Sequence, residues 1–180
     1  MSKLYRGRKT NGNWEKGFAF SLPSDSKTQR LNPNKAYILS HLSSVSWSEG
    51  SGYTLGNFVE VDKETVGECT SIPDQTKRMI YEGDILEGVL DDSVLVRCLV
   101  CIGEYEQDGS GGEYAPTKCY GIFVKIHPIK DTVWEDADMA DYPDWKRQRN
   151  LLEVTSYCKI IGNIHDNPEL FEQQEVSTNA

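Results

Sequence analysis

The stretch Ser93-Val94-Leu95-Val96-Arg97-Cys98-Leu99-Val100-Cys101-Ile102 decides the fold of this chain. It is almost entirely apolar and rich in β-branched residues, a composition that favours a central β-strand covered on both faces. A Gly-rich break from Gln107 to Gly112 follows, and Tyr120 to Ile126 then resumes the apolar run. We therefore predict that the two runs pair as the strands of a hairpin.

Further runs on both sides of this hairpin extend the predicted sheet. Ile80 to Leu86 is typical of a short strand, and Gly83 at its centre predicts a bulge or a close approach of another backbone. Leu151 to Ile161 alternates apolar and polar residues and predicts another antiparallel strand. Asn167 as a cap and Pro168 at the first helical position predict one helical turn. Together these elements predict a small curled sheet or an SH3-like, partly open barrel.

The N-terminal part of the chain predicts a second β-rich region. The turn signal Asn11-Gly12-Asn13 after Leu4-Tyr5-Arg6 predicts an opening hairpin. Ala36 to Leu39 fits a strand or a short helix, and Asn57 to Asp62 alternates as a half-buried strand does. Ser43 to Gly56 is rich in Ser and Gly, so we expect an exposed and mobile connection there.

The fold class that follows is mainly β, a β-rich α+β protein with one or two short helices. We predict an N-terminal β-rich region over residues 1–75, a C-terminal antiparallel sheet or barrel over 76–171, and a frayed tail over 172–180. One continuous domain over 4–171 is the alternative. A chain of 180 residues with 38% hydrophobic residues is long and apolar enough to bury a core in either arrangement.

Charge is distributed unevenly along the chain, whose formal net charge is −9. Residues 1–35 hold eight of the 19 Lys and Arg residues but only two of the 28 Asp and Glu residues. The acidic remainder repels a phosphate backbone, so any affinity for nucleic acid has to come from the N-terminal segment. A solvated polar start without a ligand is the alternative interpretation.

The compartment is predicted from what the sequence lacks. No stretch approaches the roughly 18 consecutive apolar residues of a membrane helix, and Met1 to Arg6 lacks the apolar block of a signal peptide. Five cysteines at irregular spacing do not form a complete disulfide framework and suit a reducing compartment. We expect a cytoplasmic protein that does not engage a membrane.

Five motifs follow one another along the chain, each with a defined spacing. Their residues are Arg6, Gly7, Trp14, Thr65, Val66, Gly67, Tyr81, Glu82, Gly83, Asp84, Gly162, Asn163, Asn167, Pro168 and Glu169. In this order the series resembles the YopX family, whose uncharacterised members are encoded largely by bacteriophages and prophages. The resemblance runs from Leu4 to about Phe171. It implies a phage-derived accessory protein and implies no known activity and no known catalytic residue.

The Tyr81-Glu82-Gly83-Asp84 motif contains two carboxylates, two residues apart. On a strand they would share a face, where they could act as an acid/base pair or hold a metal ion. The alternative is a bulge or turn shaped by Gly83, with Asp84 accepting hydrogen bonds from nearby backbone amides. The chemistry of turns supports this alternative more directly.

Two cysteines at Cys98 and Cys101 match half of a zinc site, and Cys119, Cys158 and His127 could supply further ligands. On a strand, however, an offset of three residues sends the first two side chains to opposite faces. Cysteine is among the most buried residue types, so buried free thiols are the favoured interpretation. We predict no metal and no cofactor.

The leading functional hypothesis is a non-enzymatic binding or interaction module, because no convincing catalytic set is found. Aromatic residues embedded in an acidic block are its candidate contacts, since such residues are frequent at interfaces, although they may equally pack on the parent sheet. The candidates are Trp134, Tyr142, Trp145, Asp136 and Asp138. The partner is a host or phage protein, or a second copy of the chain.

Two other hypotheses remain open. In the first, Arg6, Arg8, Lys9 and Lys16 contact the phosphates of a nucleic acid while Trp14 stacks on a base. The acidic remainder of the chain disfavours it. In the second, an enzyme of unrecognised type is built around Glu82 and Asp84.

Overall fold

The structure is a computed structural model that describes residues 3–22, 31–39, 42–47, 50–55, 58–90, 94–107, 115–128 and 148–172. The chain divides into two compact units, Met1–Cys69 and Thr70–Ala180. The described residues confirm a mainly β protein with two short helices. The strands are β1 (Tyr5–Arg8), β2 (Trp14–Ser21), β3 (Ala36–Leu39), β4 (Leu42–Trp47), β5 (Gly50–Leu55), β6 (Phe58–Val61), β7 (Gly67–Pro73), β8 (Met79–Tyr81), β9 (Asp84–Leu90), β10 (Val94–Gln107), β11 (Thr117–Pro128), β12 (Gln148–Asn150) and β13 (Cys158–Asn163), and the helices are α1 (Leu151–Val154) and α2 (Glu169–Glu172).

The first unit is built on an antiparallel sheet in the order β6-β3-β2-β1-β7. The predicted hairpin of β1 and β2 is confirmed, and Gly12 in its turn has a φ of 85°, which favours glycine. Ala36 to Leu39 is a strand, which decides between the two predicted possibilities. One face of the sheet carries the core. Its residues are Ala36, Ile38 and Val61, with Tyr5, Ala19 and Val66 packed against them.

This sheet curls until the chain after β6 returns to β1. The Asp62 backbone N–H donates to the Arg8 carbonyl at 2.8 Å. At the same place a Cβ on Gly7 would lie 2.7 Å from Val61 Cγ2, closer than real side chains pack. Glycine at position 7 therefore lets β1 and β6 approach each other across the core.

Ser43 to Gly56 was expected to be an exposed and mobile connection, but the structure places a strand pair over most of the segment. β4 and β5 form an antiparallel hairpin that runs from the pair Leu42 and Leu55 to the pair Trp47 and Gly50. Folding the segment back on itself gives each strand hydrogen-bond partners for its backbone, which a Ser-rich composition does not prevent.

The second unit is built on an open antiparallel sheet in the order β12-β11-β10-β9-β13, and β7 continues into this unit to pair with β8. The predicted hairpin is confirmed by β10 and β11, in which Val100 lies opposite Val124. Of the two predicted forms, the described strands therefore adopt the sheet and do not close a barrel. The core of the unit consists of Ile80, Leu86, Val96, Cys98, Val100, Val124, Ile126, Leu151, Val154 and Cys158.

The prediction that β10 is covered on both faces holds fully for one face and in part for the other, where Tyr105 and, on β11, Phe123 are buried. Val96 and Val100 are fully buried, whereas Arg97 between them is partly exposed. The Arg97 side chain donates to Glu87 Oε2 at 3.3 Å and to the Leu170 carbonyl at 3.0 Å. The second face therefore carries a hydrogen-bonded guanidinium beneath α2. It is more accessible to water than the core face.

Leu151 to Ile161 was predicted as one strand, and the first half of this prediction is wrong. Leu151–Val154 is α1, and the strand begins only at Cys158. Asn150 caps the helix, because its Oδ1 accepts the Leu152 N–H at 3.0 Å. Leu151 and Val154, three residues apart, are both 0% exposed, a spacing that places them on one face of a helix. The predicted turn near Pro168 is confirmed as α2.

The outer edge of β13 is covered by the turn that follows β7. The Gln75 N–H donates to the Cys158 carbonyl at 3.1 Å, and the Ile160 N–H donates to Asp74 Oδ2 at 3.0 Å. Such contacts occupy the groups by which an edge strand would pair with another chain. No helix among the described residues is long and apolar enough to cross a membrane.

Candidate functional site

The first two sequence motifs meet on the hairpin of β1 and β2. Arg6 lies opposite Lys16, and Arg8 lies opposite Trp14. Directly opposed residues of an antiparallel pair project to the same side, so these four side chains share one face. The Arg6 guanidinium carbon lies 4.8 Å from the centroid of the Trp14 ring, a cation–π contact.

This face is the outer face of the sheet, because the alternate residues of β1 belong to the core. Gly7 is buried against Val61, and Tyr5 packs on the same core cluster. The Thr65 hydroxyl accepts the Arg8 N–H at 2.9 Å and donates to the Asp62 carbonyl at 2.8 Å. Gly7 and Thr65 are therefore structural, and they hold β1 with its arginines turned outward.

The outer face continues along β2 and across the sheet. The residues Trp14, Lys16, Phe18 and Phe20 alternate with inward-facing positions along β2. In the next two strands, Leu39 lies opposite both Phe18 and Phe58, which places the Phe58 ring on the same face. We call this surface the aromatic–basic face and define it by Arg6, Arg8, Trp14, Lys16, Phe18, Phe20 and Phe58.

Two rings of the aromatic–basic face are strongly exposed. Phe18 and Phe58 are 44% and 41% exposed, respectively. Phe58 is held in place by Phe20 and Tyr37, whose ring centroids both lie 6.0 Å from its own. Tyr37 is buried, and its hydroxyl oxygen accepts the Asn32 N–H at 2.6 Å. The exposed Phe58 ring is therefore held in place by ring contacts with Phe20 and the buried Tyr37.

The cations of this face outnumber its carboxylates. Arg6, Arg8 and Lys16 contribute three cations. Glu60, opposite Tyr37 on the same face, contributes one carboxylate, which lies 3.9 Å from the Lys35 ammonium. Lys9 was grouped with these three cations on the basis of the sequence. It follows the last residue of β1, and its ammonium lies 3.0 Å from the carboxylate of Glu15, which alternates with Trp14 and Lys16 along β2. The other three cations share one face with Trp14.

The Tyr81 to Asp84 motif forms a turn, and the prediction of a continuous strand over Ile80 to Leu86 is wrong. Gly83 has a φ of 80°, and Asp84 Oδ2 accepts the Tyr81 N–H at 2.8 Å. Asp84 is 1% exposed. Glu82 and Asp84 therefore do not share a strand face, and the predicted turn with a backbone-bonded Asp84 is confirmed.

The last sequence motif packs on this turn. The Ile164 N–H donates to the Gly83 carbonyl at 2.9 Å, and Asn163 lies opposite Asp84 in the register of β9 and β13. Asn163 Oδ1 accepts the N–H groups of His165 and Asp166 at 2.9 and 3.0 Å. These two motifs therefore form one hydrogen-bonded joint within the second unit.

The start of α2 depends on the same joint. A Cβ on Gly162 would lie 2.6 Å from Asn167 Oδ1, so glycine lets the Asn167 side chain reach this strand. Pro168 follows, and its carbonyl accepts the Phe171 N–H at 3.0 Å while Glu169 opens the helix. The His127 ring lies edge-on to the Phe171 ring, with 4.1 Å between the two ring centroids.

The interpretation of buried free thiols holds for Cys98 and Cys158, whereas the other three cysteines are free but partly exposed. Cys98 and Cys158 are free and 0% exposed in the core, whereas Cys101 lies opposite Phe123 on the other face of β10. β9 separates Cys98 from Cys158, so their Cα atoms are about 9 to 10 Å apart, beyond the roughly 7 Å limit for a disulfide. Among the described residues, no group of three or more His, Cys, Asp or Glu side chains is placed to hold a metal ion.

We expect the buried thiols to resist alkylation in the folded protein. The thiolate is the reactive form, and the hydrogen bond with Cys158 together with burial raises the pKa of Cys98. The same hydrogen bond lowers the pKa of Cys158, whose resistance we therefore expect from its complete burial. Mass spectrometry after iodoacetamide treatment should find Cys119, which is partly exposed, modified well before Cys98 and Cys158. In urea all three should react, and equal rates in the native protein would contradict the buried pair.

An open cleft of about 410 Å³ lies at one end of β9 and β13. Glu87 and Lys159 line it and lie opposite each other, and Arg97 also contacts the Glu87 carboxylate. Glu87 thus lies between two cations on the sheet, as on an ordinary solvated strand surface.

The predicted contact residues in the acidic block lie outside the described residues. These are Trp134, Tyr142, Trp145, Asp136 and Asp138, and the prediction about them stays a prediction. Sequence reasoning did not single out Phe18 and Phe58. The alternation of Trp14, Lys16 and Phe18 along one strand was the signal that could have found the first of them.

Comparison with known proteins identifies the family. The chain matches the model of the YopX protein family over residues 25–172. It belongs to the YopX family. The match contains the Tyr81 to Asp84 motif and the joint around Asn163, whereas the motifs at Arg6 and Trp14 precede it. The resemblance found in the sequence is thereby confirmed.

One solved structure similar to this YopX chain is protein EF1440 from Enterococcus faecalis. The sequence identity is 17%, the alignment covers 94% of this chain and 97% of that chain, and the TM-score is 0.44. No curated protein matches the chain.

Proposed function

We propose that this YopX-family protein is a non-enzymatic binding protein and that it engages its partner through the aromatic–basic face. The observation that carries the proposal is the exposure of Phe18 and Phe58, 44% and 41%, beside three cations on one face of a sheet. Large aromatic rings contribute strongly to binding because they bury much apolar area. A contiguous exposed apolar patch rimmed by polar groups is typical of an interaction site.

The core of the first unit supports this assignment of roles to the two faces of the sheet. The inner face buries Ile38 and Val61 against the alternate residues of β1 and β2. The outer rings pack separately, on the other face of the sheet, where Tyr37 and Leu39 are buried as well. Phe20 and Tyr37 instead support Phe58 from the side, with ring centroids 6.0 Å from its own.

The proposed setting is the cytoplasm of a bacterial host, where the protein serves a phage or prophage as an accessory factor. Resemblance to a family encoded largely by bacteriophages and prophages supports the phage origin. The five cysteines, three partly exposed and two buried, all free, suit a reducing compartment.

An affinity pull-down tests the proposal. Tagged protein is incubated with host lysate, with and without nuclease, and the bound components are identified. A component held by the wild type should be lost with the double variant Phe18→Ser, Phe58→Ser. It should be retained by Tyr120→Ser, which removes a ring that is 79% exposed on β11 of the second unit. Retention by the double variant would contradict binding through this face.

A further inference from the structure

We infer that the ligand of the aromatic–basic face is a single-stranded nucleic acid. The inference rests on the proposed function, because it names the class of partner for the same surface. Its elements are three cations, a preformed cation–π pair and two exposed rings on one sheet face.

The charges favour an anionic ligand at one end of the face. Arg6 and Lys16 are directly opposed, and Arg8 follows two residues along β1. Cationic side chains on adjacent strands lie about 5 Å apart, so several can contact one phosphate backbone. The acidic remainder of the chain repels such a backbone, which confines binding to this face.

The Arg6 guanidinium is held in place before any ligand arrives. It lies over the Trp14 ring at 4.8 Å. A guanidinium stacked on an aromatic ring keeps its N–H groups at the rim, where they can donate to phosphate oxygens. Stacking therefore lowers the conformational freedom that Arg6 loses on binding.

The exposed rings favour a ligand with unstacked bases, whose faces are free to contact an aromatic ring. Outward side chains two residues apart on a strand are about 7 Å apart, which is the order of the spacing from Phe18 to Phe20, whereas Trp14 lies four residues, or about 14 Å, from Phe18. A distance of about 7 Å is about twice the 3.4 Å step between stacked bases, which leaves room for a base beside a ring. In a duplex the base faces are already stacked, so only an unpaired strand can use Phe18 and Phe58 as platforms.

Fluorescence anisotropy with labelled oligonucleotides tests the inference on the full chain. The probes are oligothymidylate and oligouridylate of about 12 nucleotides, and a mixed-sequence duplex of equal length. We expect both single strands to bind at least tenfold more tightly than the duplex. With three phosphate contacts, the slope of log K against log salt should be about −2 for the single strands.

Variants of exposed residues separate stacking from charge. Phe18→Ser should weaken single-strand binding roughly tenfold to a hundredfold at every salt concentration. Lys16→Glu should weaken it and make the salt slope less steep by about 0.7 or more. Tyr120→Ser and Lys159→Glu, on exposed residues of the second unit, should bind as the wild type does. Circular dichroism of each variant verifies the fold.

Three results would overturn the inference: no binding of either single strand, equal affinity for the duplex, or affinity unchanged in Phe18→Ser. The pull-down distinguishes a failure of the nucleic-acid inference from a failure of the proposed binding function. A protein recovered in both nuclease arms and lost with the double Phe variant would leave the binding face in place. It would replace nucleic acid by a protein as its ligand.

Discussion

Gly88→Ala is expected to lower the free energy of unfolding of the second unit by about 3 kcal/mol. A Cβ at this position would lie 2.6 Å from Cys158 Sγ and 2.9 Å from Cys158 Cα, and it would also meet the Tyr157 carbonyl oxygen. Cys158 Cα and the Tyr157 carbonyl oxygen are backbone atoms, so no side-chain rotation relieves the clash. β9 and β13 would have to separate inside the core, where Leu86 and Cys158 are 0% exposed.

Urea denaturation followed by circular dichroism measures this effect. The matched control is Gly121→Ala in the same sheet, where a Cβ would have Tyr105 Cε1 at 3.9 Å as its nearest neighbour, an ordinary contact. We expect that variant to change the free energy of unfolding by less than about 1 kcal/mol. Equal urea midpoints for Gly88→Ala and Gly121→Ala would contradict the prediction, because they would show that β13 shifts to accept the added methyl group without a loss of stability.

Asp74→Ala is expected to destabilise the protein by about 3 kcal/mol. Asp74 is 2% exposed, and Oδ1 accepts the N–H groups of Thr76 and Arg78 at 2.8 and 3.0 Å. Oδ2 accepts the Ile160 N–H at 3.0 Å. One carboxylate thus closes its own turn and covers the edge of β13, and its removal leaves three partly buried backbone N–H groups without their acceptor.

The control for this variant is Asp62→Ala. Asp62 is exposed, and its Oδ1 accepts the Glu64 N–H at 3.2 Å. We expect that substitution to lower the free energy of unfolding by about 1 kcal/mol, as does the loss of an exposed side chain that accepts one backbone N–H at a cap. A similar loss for both aspartates in urea denaturation at about pH 7 would contradict the role of burial at Asp74.

The same carboxylate predicts a pH dependence. Burial raises the pKa of Asp74, but hydrogen bonds from the Ile160 backbone, the Thr76 hydroxyl and the Arg78 backbone outweigh it and hold the pKa below its ordinary value of 3.8. The folded-state pKa is thus the lower one. The stabilisation is complete above the unfolded-state pKa and is lost as the pH falls through the folded-state value. Asp74→Asn should show a smaller loss of stability below about pH 4 than the wild type.

Much of the sheet of the second unit could be predicted from local pattern. The apolar runs of β10 and β11 are separated by a Gly-rich break, and such runs pair because pairing satisfies the backbone while both bury one face. The turn at Gly83 was also foreseen, as one of two possibilities, from its residue types. The strand predicted over Leu151 to Val154 failed because a capped helical turn places these two apolar residues, three apart, on one buried face, whereas a strand would send them to opposite faces.

The candidate site was only partly predictable. The basic segment and Trp14 were visible as residue types, and their common face follows from the period of two along β1 and β2. Phe58 could not be assigned to that face, because its position depends on the order β6-β3-β2 and on the register with Leu39. The pairing of Lys9 with Glu15 could not be predicted either, since it depends on the shape of the hairpin end.

By itself, the sequence determined the β class, the two hairpins of β1–β2 and β10–β11, the turn glycines and the family, since each of these depends on residue types and spacings within one segment. The tertiary structure decided which segments meet: Gly7 against Val61, Gly88 against Cys158, and Phe58 beside Phe20. It also assigned one carboxylate, Asp74, to the edge of a strand 86 positions away. Contacts of this kind depend on the register and curl of whole sheets, and the side-chain pattern of a single strand does not encode them.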